Sequence, residues 1–121
     1  MEKTELRIGN YIMNPQVVVT VTGIDEQYVK HTEIDGSTKC LLEQADSILL
    51  TEEWLLKFGF KKIPMENTGP YSQDKDKYCK SFVEITQGNT GMWNYQNNTD
   101  FFWVHNLQNL YFALTGEELT I

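Results

Sequence analysis

The chain has 121 residues, enough to bury a hydrophobic core without metal or disulfides, and its 40% hydrophobic and 22% charged residues are an ordinary balance for a folded domain. That balance excludes wholesale disorder, and no apolar run approaches the length of a membrane-spanning helix. The formal net charge of −7 repels phosphate backbones, so general nucleic-acid binding is disfavoured.

The start, Met1-Glu2-Lys3-Thr4-Glu5, is charged and has no apolar core of a secretory signal. Together with only two cysteines, Cys40 and Cys79, this predicts a cytoplasmic protein with free thiols. Charge is spread unevenly. Residues 1–56 carry ten acids and four bases, residues 57–80 carry six lysines and three acids, and residues 81–121 carry four acids and no lysine or arginine. Lysines 57, 61, 62, 75, 77 and 80 could share one basic face, but such runs are usually solvated mixed-charge segments.

In chain order, Leu6 to Met13 alternates apolar residues and then meets Asn14-Pro15, which predicts a strand and a reversal. Gln16 to Ile24 is β-branched and forms a second strand, and Gln27 to Ile34 a third. Asp35-Gly36 is a hairpin signal, because both central positions of a type I′ turn need positive φ. Ser37 to Leu42 returns as a fourth strand, and Ala45 to Leu50 supplies a short fifth. Short strands joined by tight turns predict an SH3-like small antiparallel β-barrel or a curled sheet over residues 1–50.

Residues 51–121 form a second predicted lobe, packed with the first. Thr51 opens a short helix, with Glu52 and Glu53 at the positive end of its dipole. Trp54, Leu55 and Phe58 make its apolar stripe, Gly59 takes the left-handed position after it, and Phe60 folds back onto Leu55. A polar loop with Pro64, Gly69 and Pro70 covers residues 64–77. A three-stranded antiparallel meander follows near 79–87, 91–96 and 100–104, with turns at Gly88-Asn89 and Asn97-Asn98. The last element is a C-terminal amphipathic helix from His105 to Thr115, with Leu107, Leu110, Tyr111 and Leu114 at i, i+3, i+4 and i+7 and Gly116 as its stop. Strands and helices are segregated, so the predicted class is α+β.

Three stretches carry a family resemblance: Leu6-Arg7-Ile8-Gly9-Asn10-Tyr11, then Leu50-Thr51-Glu52-Glu53-Trp54-Leu55-Leu56-Lys57-Phe58-Gly59-Phe60, and Val104-His105-Asn106-Leu107-Gln108-Asn109-Leu110-Tyr111-Phe112-Ala113-Leu114-Thr115-Gly116-Glu117-Glu118-Leu119. In order and spacing the chain resembles a family of small proteins encoded by phages and prophages of gut bacteria. That family often has glutamine where this chain has Asn106. The resemblance implies an accessory role in a bacterial cytoplasm, with no cofactor and no assigned activity.

No catalytic constellation emerges from the residues. His105 sits where a strand meets the last helix, with no partner indicated to make it a general base. Neither cysteine lies in an activating motif that would pair it with His105 as a nucleophile. His31, Cys40, Cys79 and His105 lack metal-ligand spacing. The adjacent carboxylates Asp25-Glu26, Glu52-Glu53 and Glu117-Glu118 point in different directions on a helix or strand and make poor acid–base dyads. Gly88-Asn89-Thr90-Gly91 lacks the lysine and following helix of a phosphate loop.

The candidate binding residues are Trp93, Tyr95, Gln108 and Asn109. Trp93 and Tyr95 share a strand face among amides, and Phe101 and Trp103 do likewise on the next strand; such aromatics either build a core or present a contact surface. Gln108 and Asn109 flank the apolar stripe of the last helix, where asparagine costs helix stability and so flags a tertiary bond or a contact. The leading functional expectation is a non-enzymatic interaction module whose partner is an unidentified host or phage protein. Two alternatives are an acidic DNA mimic that occupies a nucleic-acid-binding protein and a weak single-stranded nucleic-acid binder.

Overall fold

The computed structural model describes residues 6–14, 17–34, 36–63, 76–87, 92–95 and 99–121. Residues 64–75 of the loop expected over 64–77, the turns at Gly88-Asn89 and Asn97-Asn98, and Asp35 lie outside the described residues, and Lys77, expected in that loop, is in a strand. The class is α+β, with a four-stranded and a five-stranded antiparallel sheet and two α-helices among the described residues. No described helix is long and apolar enough to cross a membrane.

The chain divides into two units. The first comprises Met1–Leu49 and Trp103–Glu118, and the second Leu50–Phe102 and Leu119–Ile121. The C-terminal helix therefore belongs with the N-terminal sheet, not with the segment that directly precedes it. Chain order alone suggests the opposite grouping, 1–50 against 51–121, and hides this return.

In the first unit, β1 (Tyr11–Met13), β2 (Val18–Ile24), β3 (Tyr28–Ile34) and β4 (Ser37–Leu41) pair in sequence order. Inward positions alternate as a half-buried sheet requires, and Leu6, Ile12, Val19, Val21, Val29, Cys40 and Ala45 form one buried cluster. β1 is shorter than the alternation from Leu6 suggests. Residues 7–10 instead make a turn, in which Asn10 N–H donates to Arg7 O at 3.0 Å and Gly9 holds φ +99°. A positive φ at that third turn position is what only glycine takes readily. The pairing of Ile34 with Ser37 closes the β3–β4 hairpin over two residues, and Gly36 has φ +82°.

The expected fifth strand is not formed. A 3₁₀ turn at Leu42–Gln44 follows β4, which ends at Leu41, and within Ala45 to Leu50 there are only two isolated bridges, Met13 with Asp46 and Leu49 with Trp103. Each bridge meets a different partner, so no continuous ladder develops, and the described strands do not close into a barrel.

The second unit holds α1 (Glu52–Lys57) and the sheet β5 (Lys61–Ile63), β6 (Lys77–Lys80), β7 (Val83–Gln87), β8 (Trp93–Tyr95) and β9 (Thr99–Phe101), again in sequence order. The single strand expected near 79–87 is two strands folded at Ser81-Phe82, with Lys80 opposite Val83 and Ser81 at φ +57°. Neither turn residue is the usual Gly, Asn or Asp, so the hairpin carries no compositional mark. β5, only three residues long, adds an edge strand that the sequence pattern does not mark.

The end of α1 follows its sequence closely. Gly59 has φ +91°, its N–H donates to Leu56 O at 3.1 Å, and Phe60 N–H donates to Leu55 O at 3.0 Å. These two bonds make a Schellman motif, sealed by the burial of Leu55 and Phe60. Lys80 Nζ adds a bond to Phe58 O at 2.5 Å, placing a cation at the negative end of the helix.

α2 (Val104–Thr115) ends as expected, on Gly116 at φ +75°. Its buried face differs from the predicted stripe: Val104, His105, Leu107, Gln108 and Tyr111 are buried, while Leu110 and Leu114 are half-buried. The face is turned toward Gln108 because that polar side chain has partners in the interior.

Candidate functional site

Those partners are the backbone of residues 9–11. Gln108 is 0% exposed; its Nε2 donates to Gly9 O at 3.0 Å, and its Oε1 accepts from Tyr11 N–H at 2.8 Å. One carboxamide thus meets the chain as a neighbouring strand would, satisfying an acceptor and a donor two residues apart. Beside it Asn10, also fully buried, accepts from Arg7 N–H through Oδ1 at 2.7 Å and donates through Nδ2 to Asn109 Oδ1 at 2.9 Å.

Arg7 completes the clasp. It is ion-paired to Glu118, its Nη2 reaches Gln108 O at 3.3 Å, and its guanidinium lies 4.2 Å from the centre of the Phe112 ring. A β-carbon at Gly9 would come 3.2 Å from Glu118 Oε2, a second reason for glycine there. The turn over residues 7–10 and the α2 residues Gln108, Asn109 and Phe112, with Glu118 beyond them, are therefore complementary halves of one polar lock. Gln108 and Asn109, flagged from sequence as contact residues, have their amides engaged inside the first unit.

Trp93 is 1% exposed. Its Nε1 donates to Leu50 O at 3.0 Å, and Tyr78 packs edge-on against it with ring centroids 5.5 Å apart. Trp93 is a core residue of the second unit and presents no face to a partner. Tyr95 is half-buried on the same strand, opposite Ile85.

The exposed tryptophan of the first unit is Trp103, which with Leu49 forms a bridged pair, 37% and 54% exposed respectively. Val104 N–H bonds Ile48 O and Leu50 N–H bonds Phe102 O, both at 2.8 Å. These bonds flank the pair and leave it in the non-hydrogen-bonded register, where facing side chains come closest. Trp103 also holds the N-cap position of α2 and makes no side-chain capping bond. A tryptophan where serine, threonine, asparagine or aspartate would cap a helix is the sequence signal that could have singled it out. Leu49 carried no comparable mark.

His31 is buried on β3. Its Nδ1 donates to Thr32 O at 2.6 Å, and its Nε2 accepts from Asn14 Nδ2 at 3.1 Å, so both ring nitrogens are engaged in a structural role. His105 is fully buried on α2. Cys40 lies in the apolar cluster, where burial pushes its thiol above the usual range and makes it a poor nucleophile. Among the described residues no group of three or more His, Cys, Asp and Glu is placed to hold a metal ion.

Three of the middle lysines are engaged. Lys57 pairs with Glu53 at 3.4 Å, Lys62 with Glu52 at 3.1 Å and Asp76 at 3.4 Å, and Lys80 caps α1. Lys62 is held above its ordinary pKa by its bonds to Glu52 and Asp76. Lys75 lies outside the described residues.

Compared with models of known protein families, with curated proteins and with solved structures, the chain matches none.

Proposed function

We propose that this chain is a non-enzymatic interaction module, an accessory protein of a phage or mobile element that acts in the bacterial cytoplasm by docking onto another protein. The resemblance of its three signature stretches supports the genetic context. On this reading the four-stranded first unit is an SH3-like scaffold, and its contact surface includes Leu49 and Trp103.

The observation that carries the reading is that pair. A tryptophan and a leucine stand side by side, substantially exposed, at a helix start where a polar capping residue would serve stability better. Tryptophan is among the residues most enriched at binding hot spots, because a large rigid ring gains much contact area for little lost conformational freedom. The polar lock of Arg7, Asn10 and Gln108 holds α2, and with it Trp103, on a fixed framework.

The test is affinity capture from host lysate with three baits: the natural chain, Trp103→Ala and Leu49→Ser. Nuclease is added in parallel. The proposal expects one nuclease-resistant protein retained by the natural bait and depleted about tenfold or more with Trp103→Ala. Equal retention by folded variants, or loss of all signal on nuclease treatment, would contradict it.

A further inference from the structure

The cations of the first unit are segregated by element. Of its described cations, Arg7 is ion-paired to Glu118 and stacked on Phe112, Lys39 sits 4.8 Å from the centre of the Tyr28 ring, and Lys30 lies opposite Lys39 on the adjacent strand. All three belong to the turn before β1 or to the β3–β4 hairpin. The segments that supply Leu49 and Trp103 are residues 42–49 and 103–118. They contain no lysine or arginine. Glu117 and Glu118 lie past the far end of α2, about 18 Å from Trp103 along a helix of twelve residues, and Glu118 is paired with Arg7. That leaves Glu43 and Asp46 as the acids closer to the pair along these segments.

Glu43 and Asp46 are exposed. Asp46 lies three residues before Leu49, about 10 Å along an extended chain, within roughly one screening length of the apolar pair at physiological salt. Backbone bonds between Asp46 and Met13, at 2.9 and 3.0 Å, tether this acidic segment to β1. An apolar centre bordered along its own chain by the exposed acids Glu43 and Asp46 is complementary to an apolar anchor flanked by positive charge. Basic flanks would accelerate encounter and set orientation, while the anchor supplies the buried area.

Resting on the docking reading above, we propose that the occupant of the Leu49–Trp103 face is a basic protein segment, an apolar anchor bordered by lysines or arginines. An acidic or neutral segment of the same shape is disfavoured by like charge or gains nothing from the rim.

The experiment uses the full chain and two synthetic 15-residue peptides with the same central leucine and phenylalanine anchors, one flanked by lysines and one by glutamates. Binding is read by fluorescence anisotropy at low and high salt. The lysine peptide should bind about tenfold or more tightly than the glutamate peptide, and added salt should narrow the gap. The exposed double variant Glu43→Lys/Asp46→Lys should remove most of the preference, and Trp103→Ala should weaken the lysine peptide at both salt concentrations. Circular dichroism of each variant separates a lost contact from a lost fold.

Equal affinity for the two peptides, with Trp103→Ala still weakening both, overturns the basic-segment inference and leaves the docking face standing. Binding of the lysine peptide that ignores Trp103→Ala overturns the docking face itself. Failure of both peptides to bind overturns the basic-segment inference.

Discussion

At the residue scale, Gln108 shows how a polar side chain becomes part of a core. Its two bonds to Gly9 O and Tyr11 N–H replace those a neighbouring strand would make, so removing them strands two backbone groups away from water. We expect Gln108→Leu to cost about 2–4 kcal/mol in urea unfolding, more than one ordinary hydrogen bond, because each unsatisfied buried group carries its own penalty. A change within a few tenths of a kcal/mol would show that water or a local shift replaces the amide.

Three buried protons set the alkaline limit. Burial raises the pKa of Cys40; burial and then the Glu52 charge raise that of Tyr78; burial and then Glu117 raise that of Tyr111. Each group binds its proton more tightly folded than unfolded. Its contribution is therefore complete below the unfolded value, about 8.5 for a thiol and about 10 for tyrosine, and is lost as pH rises through the folded value. Urea midpoints should hold near neutrality and fall above about pH 9, and Tyr78→Phe with Tyr111→Phe should flatten the steeper part of the fall. Midpoints that stay level up to about pH 11 would contradict this.

At the element scale, the fit between sequence and structure varies with how local the signal is. The end of α1 was legible because a Schellman cap is written in consecutive residues: Gly59 after the helix and Phe60 returning to Leu55. The substitution Gly59→Ala should cost about 1–2 kcal/mol in urea unfolding through the positive φ, and Gly59→Asn should cost less, because asparagine tolerates the left-handed region better. Equal losses would mean that something other than the backbone angle holds glycine there.

The turn at Ser81-Phe82 was not legible, since its register is imposed by the flanking strands and not by its own residues. The buried face of α2 was misjudged for a related reason. Hydrophobic periodicity counts leucines and cannot see that Gln108 has a backbone to bond. Thiol labelling gives a check on the two sheets: half-buried Cys79 on β6 should react with a soluble disulfide reagent in the native state, and Cys40 only on unfolding. Equal rates would mean that the first unit opens readily.

At the scale of the whole molecule, the grouping of α2 with the N-terminal sheet is what chain order concealed. The turn before β1 and the middle of α2 lie far apart in the chain and meet across Arg7, Asn10, Gln108 and Asn109. Single-sequence pattern cannot report such a pairing, because each half reads locally as an ordinary turn or an ordinary helix. The aromatic candidates divide for the same reason: β8 places Trp93 inside the second unit, and the bridge to Leu49 leaves Trp103 exposed.

The most direct test of the docking account follows the three indole N–H signals of Trp54, Trp93 and Trp103 by nuclear magnetic resonance while the captured partner is added. Each signal is assigned by a single Trp→Phe variant. The account predicts that the Trp103 signal shifts or broadens with saturation, while that of Trp93, bonded to Leu50 O in the core, stays in place. A Trp103 signal unmoved by a partner that demonstrably binds would contradict it.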